Sequence, residues 1–278
     1  MKRVIDLRLT RVPDLPLEAD RLRPDSLAQA GLDELYALPL LYGNQTVAAG
    51  EFLRGEIQET EEGASGVTLI LRGDFKRVKR LGQGMQSGEL IIEGPCGFHT
   101  GAEMGGGRIT IRGDAGDWLG AHMTGGVIRV EGNAGHWVGA SYRGKTQGMR
   151  GGAVIIHGNA GRMTGTKMRG GLIVVRGDCL EFPGYDMNAG TILIAGRSGR
   201  HIGSGMVRGT IIVRDGHSLL PTFYHNCAYK PSFWPLLRSY IEAQGLVLDG
   251  WGADCFFDRY SGEALTGCKG EVLLCHTA

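Results

Sequence analysis

The side chains best suited to binding or chemistry crowd one irregular stretch, ASYRGKTQGMRGG (residues 140–152). Tyr142, Arg143, Lys145 and Arg150 lie within it, and Arg162, Lys167 and Arg169 fall at or near the same corner. Guanidinium and ammonium groups gathered in one place suit a carboxylate-rich ligand or an acidic protein surface. A loop that merely packs on its neighbour satisfies the same pattern, so both readings stay open. Elsewhere the chemistry is thin. Met85, Met104, Met123, Met149, Met168, Met187 and Met206 form a regular row. Thioethers suit copper, but adaptable apolar filler is the better reading of such a row. Tyr224, His225 and Asn226 stand beside Cys227, and nothing in their spacing assembles a catalytic group. Cys96, Cys179, Cys227, Cys255, Cys268 and Cys275 are scattered with no C-x-x-C pair. That argues against zinc or an iron–sulfur cluster and for reduced thiols. We therefore expect neither catalytic nor metal-ligating residues on this chain. The candidate ligand-binding residues are Tyr142, Arg143, Lys145, Arg150, Lys167 and Arg169.

These residues sit on a repeat. Gly88, Gly107, Gly126, Gly152, Gly171, Gly190 and Gly209 each open a copy, spaced by 19 residues except for one interval of 26 (152 − 126). Each copy reads Gly-x-apolar-x-apolar-x-Gly, with the pairs Leu90/Ile92, Ile109/Ile111, Ile128/Val130, Val154/Ile156, Ile173/Val175, Ile192/Ile194 and Ile211/Val213. A spacing of two puts both side chains on one face of a strand. So short a unit cannot bury that face alone, and its copies must stack, like on like. Gly94, Gly113, Gly132, Gly158 and Gly177 follow the strand, four of them with Asp114, Asn133, Asn159 or Asp178 next. Such pairs predict a turn with positive φ, closed by the short polar side chain. The expected fold class is mainly β: a right-handed parallel β-helix, a solenoid of 19-residue coils roughly 34 Å long. The 26-residue copy carries seven added residues between Gly139 and Met149, and insertions in solenoids become loops that often bind.

Three regions follow: residues 1–65 as an N-terminal α+β cap, 66–213 as the β-helix, and 214–278 as a tail with one helix. In the first, residues 4–12 alternate as a strand, a helix is expected from Pro24 to Tyr36, and 58–65 read as an acidic linker. The run Lys76–Arg80 reads as a solvated face or as a contact for an acidic partner. Glu93, Arg112, Glu131, His157 and Arg176 should stack on the outer side with mostly alternating sign. His99, Trp118, Trp137, Met163, Phe182 and His201 share another position, expected as core or protein interface rather than cofactor platform. In the tail, Ser232 is the expected N-cap of a helix closed by Gly245, its apolar face formed by Phe233, Leu236, Leu237, Tyr240 and Ile241. With 30 Lys plus Arg against 29 Asp plus Glu, the chain does not look like a nucleic-acid binder. A charged start and the lack of a bilayer-length apolar run point to a cytoplasmic protein with no membrane partner.

The phrases GPCGFHTGAEMGGGRITIRGDAGDWLGAHMTGG and GNAGHWVGASYRGKTQGMRGG resemble the C subunits of formylmethanofuran dehydrogenases and, more remotely, the carboxy-terminal β-helix domain of the large glutamate synthase polypeptide. The likeness covers residues 1 to about 215, and past Thr222 the chain is more similar to the C subunits of bacterial formyltransferase/hydrolase complexes. That resemblance implies a cytoplasmic complex with three further polypeptides: an amidohydrolase-type one (A), one called B and a formyltransferase (D). Such a complex serves tetrahydromethanopterin-linked formaldehyde oxidation to formate, with the chemistry on the amidohydrolase-type and formyltransferase polypeptides. It also implies a methanofuran-type carrier with a polyglutamate tail and no covalently bound cofactor. The present chain would then be a non-catalytic scaffold, with the basic corner holding the tail. Alternatives are the corresponding polypeptide of a molybdenum or tungsten formylmethanofuran dehydrogenase, a stand-alone β-helix enzyme acting on a carbohydrate, and a plain protein-binding module.

Overall fold

A computed structural model describes residues 2–60, 66–214 and 219–276. The N-terminal part contributes β1 (Lys2–Leu9), β2 (Leu17–Glu18), α1 (Leu32–Tyr36), β3 (Pro39–Tyr42), β4 (Gln45–Ala48) and β5 (Leu53–Thr60). Next come β6 (Gly66–Arg72) and β7 (Val78–Lys79), then the repeat strands β8 (Glu89–Glu93), β9 (Arg108–Ile111), β10 (Val127–Val130), β11 (Ala153–Ile156), β12 (Arg169–Val175), β13 (Ala189–Ile194) and β14 (Arg208–Val213). The chain ends with β15 (Tyr224–Tyr229), α2 (Trp234–Ala243), β16 (Phe256–Gly262) and β17 (Lys269–His276). The architecture is mainly β, dominated by one mixed sheet of 13 strands, with a second sheet of 4 strands in the order β4-β3-β2-β7.

Alternation of apolar and polar residues sets the register. Leu90, Ile109, Ile128, Val154, Ile173, Ile192 and Ile211 pair in a parallel ladder, each with its counterpart one repeat on. These residues and their partners two positions later are all 0% exposed. The ladder runs past the repeats at both ends. Ile5 and Leu69 extend it through β1 and β6, and Val272 extends it through β17, which pairs parallel with β14. A second column of parallel bridges joins Phe75, Cys96, Ala115, Ala134, Ala160, Cys179 and Ser198. Each methionine of the row from Met85 to Met206 is fully buried. A Cβ on Gly107 would stand 2.7 Å from Met85 Cε, and one on Gly126 would stand 2.7 Å from Met104 Cε. The methionine tips fill space that only glycine leaves open in the next repeat.

The turn after the strand works differently from the expectation. Of the five glycines there, only Gly94 has positive φ. Gly113 and Gly132 are required by crowding instead: a Cβ would lie 2.6 Å from the carbonyl carbon of Gly94 and 2.7 Å from that of Gly113, respectively. Nor do the polar side chains close their own turns. Asp114 Oδ1 accepts the N–H of Asn133 at 2.8 Å, Asn133 Oδ1 that of Asn159 at 2.9 Å, Asn159 Oδ1 that of Asp178 at 2.8 Å, and Asp178 Oδ1 that of Arg197 at 2.8 Å. The Asp/Asn column is a ladder between repeats.

The N-terminal segment packs Leu17, Leu22, Leu27, Leu35, Leu40 and Phe52 into the same core as the repeats. The helix expected from Pro24 is confined to 32–36, where Gly31 precedes the first turn and donates its N–H to Glu34 Oε2 at 2.9 Å. Of the expected acidic linker, residues 58–60 close β5, and 61–65 lie outside the described residues. The basic run is engaged within the chain: Val78–Lys79 pairs with β2, Arg80 meets Glu18 at 2.9 Å, and Arg77 donates to the carbonyl of Asp14. On the outer side, Glu93 pairs with Arg112 at 2.9 Å, but Glu131 pairs with Arg129 of its own repeat and Arg176 with Asp249 of the tail.

The tail departs most from expectation, because three strands accompany the one helix. Its residues cover the outward face of the sheet, where Ile155, Val174, Leu193, Ile212 and Leu273 form a second core with Trp234, Ile241, Leu246, Trp251 and Phe257. The N-cap position of α2 belongs to Phe233, not Ser232, and Pro235 occupies the first turn. Trp234 and Ile241 are the buried side chains of α2, whereas Leu236 is 76% exposed. The face assigned from spacing is therefore rotated: Phe233, Leu236 and Tyr240 look outward. No helix of the described residues is long and apolar enough to cross a membrane.

Candidate functional site

The added residues of the long repeat can be placed from their main-chain bonds. In regular repeats the residue before the methionine donates to the next repeat, Glu103 N–H to Ala121 at 2.7 Å and Lys167 N–H to Tyr185 at 2.8 Å. Ser141 makes the equivalent bond to Thr166 at 3.1 Å, so Tyr142–Gly148 are what bulges out. The foot of the loop is tied by Gly148 N–H to Lys167 O at 2.8 Å and by Met149 N–H to Gly139 O at 2.8 Å. Within it, Lys145 N–H bonds Tyr142 O at 3.0 Å, and the Ser141 hydroxyl donates to Lys145 O at 3.0 Å.

Tyr142 folds back onto an aromatic column. Its ring centroid lies 5.4 Å from His99, 5.1 Å from Trp118 and 4.7 Å from His122. Tyr142 Oη is 3.0 Å from His99 Nδ1, and its backbone N–H donates to His122 Nε2 at 2.9 Å. Trp118 and Trp137 stack at 5.0 Å and 12°, as do Phe182 and His201 at 4.5 Å and 13°. His99, Trp118, Trp137, Met163, Phe182 and His201 share left-handed φ of 58–64°. The column is thus held by a conformation that costs each side chain some strain and that the stacking sustains.

Beneath the loop lies an open cleft of about 540 Å³ lined by Glu103, His122, Thr124, Tyr142, Lys145, Thr146, Gln147 and Arg150. Burial holds the His122 imidazole below its ordinary 6.5; Glu103 opposes this, and Arg150 and Lys145 add to it. Burial lowers His99 as well, with Arg80 and Lys79 in support. It also pushes the Tyr142 phenol up to about 12. At neutral pH the cleft therefore holds two cations and one carboxylate among uncharged hydroxyl, amide, phenol and imidazole groups. Such a lining can grip an anionic chain and accept N–H donors from it.

Of the residues singled out from the sequence, Tyr142, Lys145 and Arg150 line this cleft. Lys167 lies behind the loop, its Nζ donating to Lys145 O at 3.4 Å. Arg143 is exposed on the loop, and Arg169 is exposed at the start of β12; neither lines the cleft. Arg162 is taken up by Glu181 at 2.9 Å. Among the described residues, no carboxylate oxygen lies within 4.0 Å of the cationic nitrogens of Arg143, Lys145, Arg150, Lys167 or Arg169. Sequence reasoning missed His122 and Glu103, although each stands directly before a methionine of the row, as Lys167 does.

Other groups remain separate from this site. His225 and His276 flank Asp258 at 3.3 and 2.6 Å, and Asn226 donates to Ser261 at 2.8 Å. No group of three or more His, Cys, Asp or Glu side chains able to hold a metal ion is found among the described residues. An apolar groove of about 640 Å³ runs between α2 and the strands, with Phe233, Leu236, Leu237 and Tyr240 on one wall.

No family model matches the chain. Among curated proteins it is 38% identical over 91 residues to the C subunit of the tungsten-containing formylmethanofuran dehydrogenase 2 of Methanothermobacter marburgensis, a match covering 32% of this chain and 33% of that protein. It is 43% identical over 87 residues to the C subunit of the molybdenum-containing formylmethanofuran dehydrogenase 1 of Methanothermobacter thermautotrophicus, covering 31% and 21%. The chain thus matches about a third or less of the length of these curated relatives. A solved structure matches throughout: a chain of the formyltransferase/hydrolase complex (FhcABCD) from Methylorubrum extorquens in complex with methylofuran. There the TM-score is 0.87 at 30% identity, covering 97% of this chain and 98% of that one.

Proposed function

The chain belongs to the family of formylmethanofuran dehydrogenase C subunits, and from that premise we propose that it is the non-catalytic scaffold of a formyltransferase/hydrolase complex. Its setting is tetrahydromethanopterin-linked oxidation of formaldehyde to formate in the cytoplasm. It stands beside the amidohydrolase-type (A), B and formyltransferase (D) polypeptides of that complex. The full-length likeness to a chain of FhcABCD favours this assembly. The shorter matches to tungsten and molybdenum enzymes keep a dehydrogenase complex as the second reading. In this reading residues 66–213 wind as a right-handed parallel β-helix between an N-terminal α+β cap and a C-terminal tail.

The cleft holds the polyglutamate tail of a methanofuran-type carrier. The observation that carries this is that Lys145 and Arg150 face one cleft with no carboxylate oxygen of the described residues within 4.0 Å of their cationic nitrogens, Glu103 of the same lining included. Arg143, Lys167 and Arg169, exposed or half-buried near by, extend the positive surface along which a carboxylate chain can run. A tail held there keeps the formyl end of the carrier at high effective concentration for two catalytic centres. Lys145→Glu with Arg150→Glu in the assembled complex tests it. Carrier binding should weaken at least about tenfold, since each charge-assisted contact is worth about 1.5–3 kcal/mol, while all four kinds of polypeptide still co-purify. Unchanged carrier affinity would remove the cleft from the account.

A further inference from the structure

The loop that carries Lys145 is tied back at Tyr142, through its ring and hydroxyl to His99 and through its backbone to a second imidazole, His122. His122 Nε2 lies 2.9 Å from the backbone N–H of Tyr142, and a peptide N–H can only donate, so Nε2 must present its lone pair. The single ring proton therefore sits on Nδ1. Tyr142 in turn governs Lys145, whose N–H bonds the Tyr142 carbonyl at 3.0 Å and whose own carbonyl is bonded by Ser141 and Lys167. The loop's feet are tied separately, through Ser141 to Thr166 and Gly148 to Lys167. Loss of the His122 bond would thus loosen the tip of the loop, leaving it only the Tyr142 contact with His99 and the bonds to Lys145 O, with the repeat beneath it intact.

From this geometry we infer that His122 is the positioning residue of the cleft: only as the neutral imidazole does it hold Tyr142, and with it Lys145, where a carboxylate chain is gripped. The inference rests on the reading of the cleft as a carboxylate site. The titratable and charged groups around the ring are Glu103, Lys145, Arg150 and Tyr142. Behind Tyr142 stands His99, with Arg80, Lys79, Glu18 and Asp117 in its field. A second proton on His122 would set N–H against N–H at the Tyr142 amide. It would also place a cation beside Lys145 and Arg150, with only Glu103 to offset it.

The sign of the pH effect follows. Burial lowers the folded value below the ordinary 6.5, so the latch is intact at and above about pH 6.5 and is lost only as the pH falls through that lowered value. A cationic cleft of fixed shape would behave the other way. Charging His122 would strengthen its hold on carboxylates until these themselves protonate near about pH 4.

The experiment measures affinity of the full chain for a fluorescein-labelled hexaglutamate peptide at constant ionic strength, at about pH 8 and about pH 5.5. The wild type should lose affinity on acidification, by less than about tenfold because a folded value below 6.5 leaves part of the imidazole neutral at about pH 5.5. His122→Gln, whose amide oxygen accepts the same N–H without titrating, should keep its affinity at both values, and His122→Ala should be weak at both. Wild-type affinity that rises on acidification, a fall that His122→Gln shares, or a His122→Ala chain that binds as tightly as the wild type at about pH 8 overturns the inference. Failure of the wild type to bind the peptide at about pH 8 would instead sink the carboxylate reading. The latch is then judged without ligand, by hydrogen exchange of the Tyr142 amide corrected for its intrinsic rate. Protection in the wild type at about pH 8 that is lost in His122→Ala supports the latch, and equal protection in the two chains overturns it.

Discussion

Asp178 is the upper rung of the ladder that joins successive turns, accepting the Arg197 N–H at 2.8 Å while its other oxygen takes the Arg197 guanidinium, also at 2.8 Å. The backbone bond, and next the side-chain bond, hold its carboxyl below the ordinary range. A carboxyl shifted down in the folded state contributes stability that is present above its unfolded value near about 3.8 and is lost as the pH falls through the folded value. Asp178→Asn keeps the backbone bond without the titration. The loss of stability between about pH 7 and about pH 3, read from urea midpoints, should therefore be smaller in the variant; an identical loss would mean that the rung does not titrate. The ladder itself is not legible in the sequence. A Gly-Asp pair serves a turn within one repeat as well as a bond to the next, and only three-dimensional stacking separates the two. The inward pairs such as Ile109/Ile111 are legible, because a period of two admits one face and the 19-residue spacing aligns it. His122 escapes notice because its role depends on Tyr142, 20 residues away, folding back over it.

At the level of elements, the sheet changes character partway along. Ile109-Thr110-Ile111 and Ile128-Arg129-Val130 alternate, whereas Val154-Ile155-Ile156, Ile173-Val174-Val175, Ile192-Leu193-Ile194 and Ile211-Ile212-Val213 are apolar throughout and buried on both faces. Continuous apolar strands mark a sheet covered on both sides, so the docking of the tail is written in the outward residues Ile155, Val174, Leu193 and Ile212. β17 is equally visible in hindsight. Gly270-Glu271-Val272-Leu273-Leu274 repeats the phrase that opens at Gly209, and its long separation from the regular copies hides it. The helix is harder, because apolar residues surround more than half of α2 and spacing alone cannot choose the buried stripe. Trp234→Ala should cost about 3–5 kcal/mol, since a fully buried indole is lost against Trp251 and Phe257. Leu236→Ala, at a side chain 76% exposed, should move the denaturant midpoint little. Equal costs for the two would mean that the helix docks by its other face.

For the molecule as a whole, 30 cationic and 29 anionic side chains leave a formal charge of +1, so no long-range field draws an acidic ligand to the chain. Much of the charge is cancelled locally: Arg72 with Asp6, Arg112 with Glu93, Arg162 with Glu181, Arg176 with Asp249 and Arg197 with Asp178 all lie within 2.8–2.9 Å. What attraction there is for a polyanion should then come from the corner where Lys145 and Arg150 face the cleft without such partners. Its range is the Debye length, about 14 Å at 0.05 M salt and about 4 Å at 0.5 M. Raising salt across that interval should weaken binding of a hexaglutamate peptide by the wild-type chain about tenfold. The Lys145→Glu/Arg150→Glu chain, with the corner reversed, should bind weakly at both salts and lose little more. A double variant whose salt response equals that of the wild type would mean that the anion is held elsewhere on the surface, for which the near-neutral balance of the rest of the chain offers no comparable place.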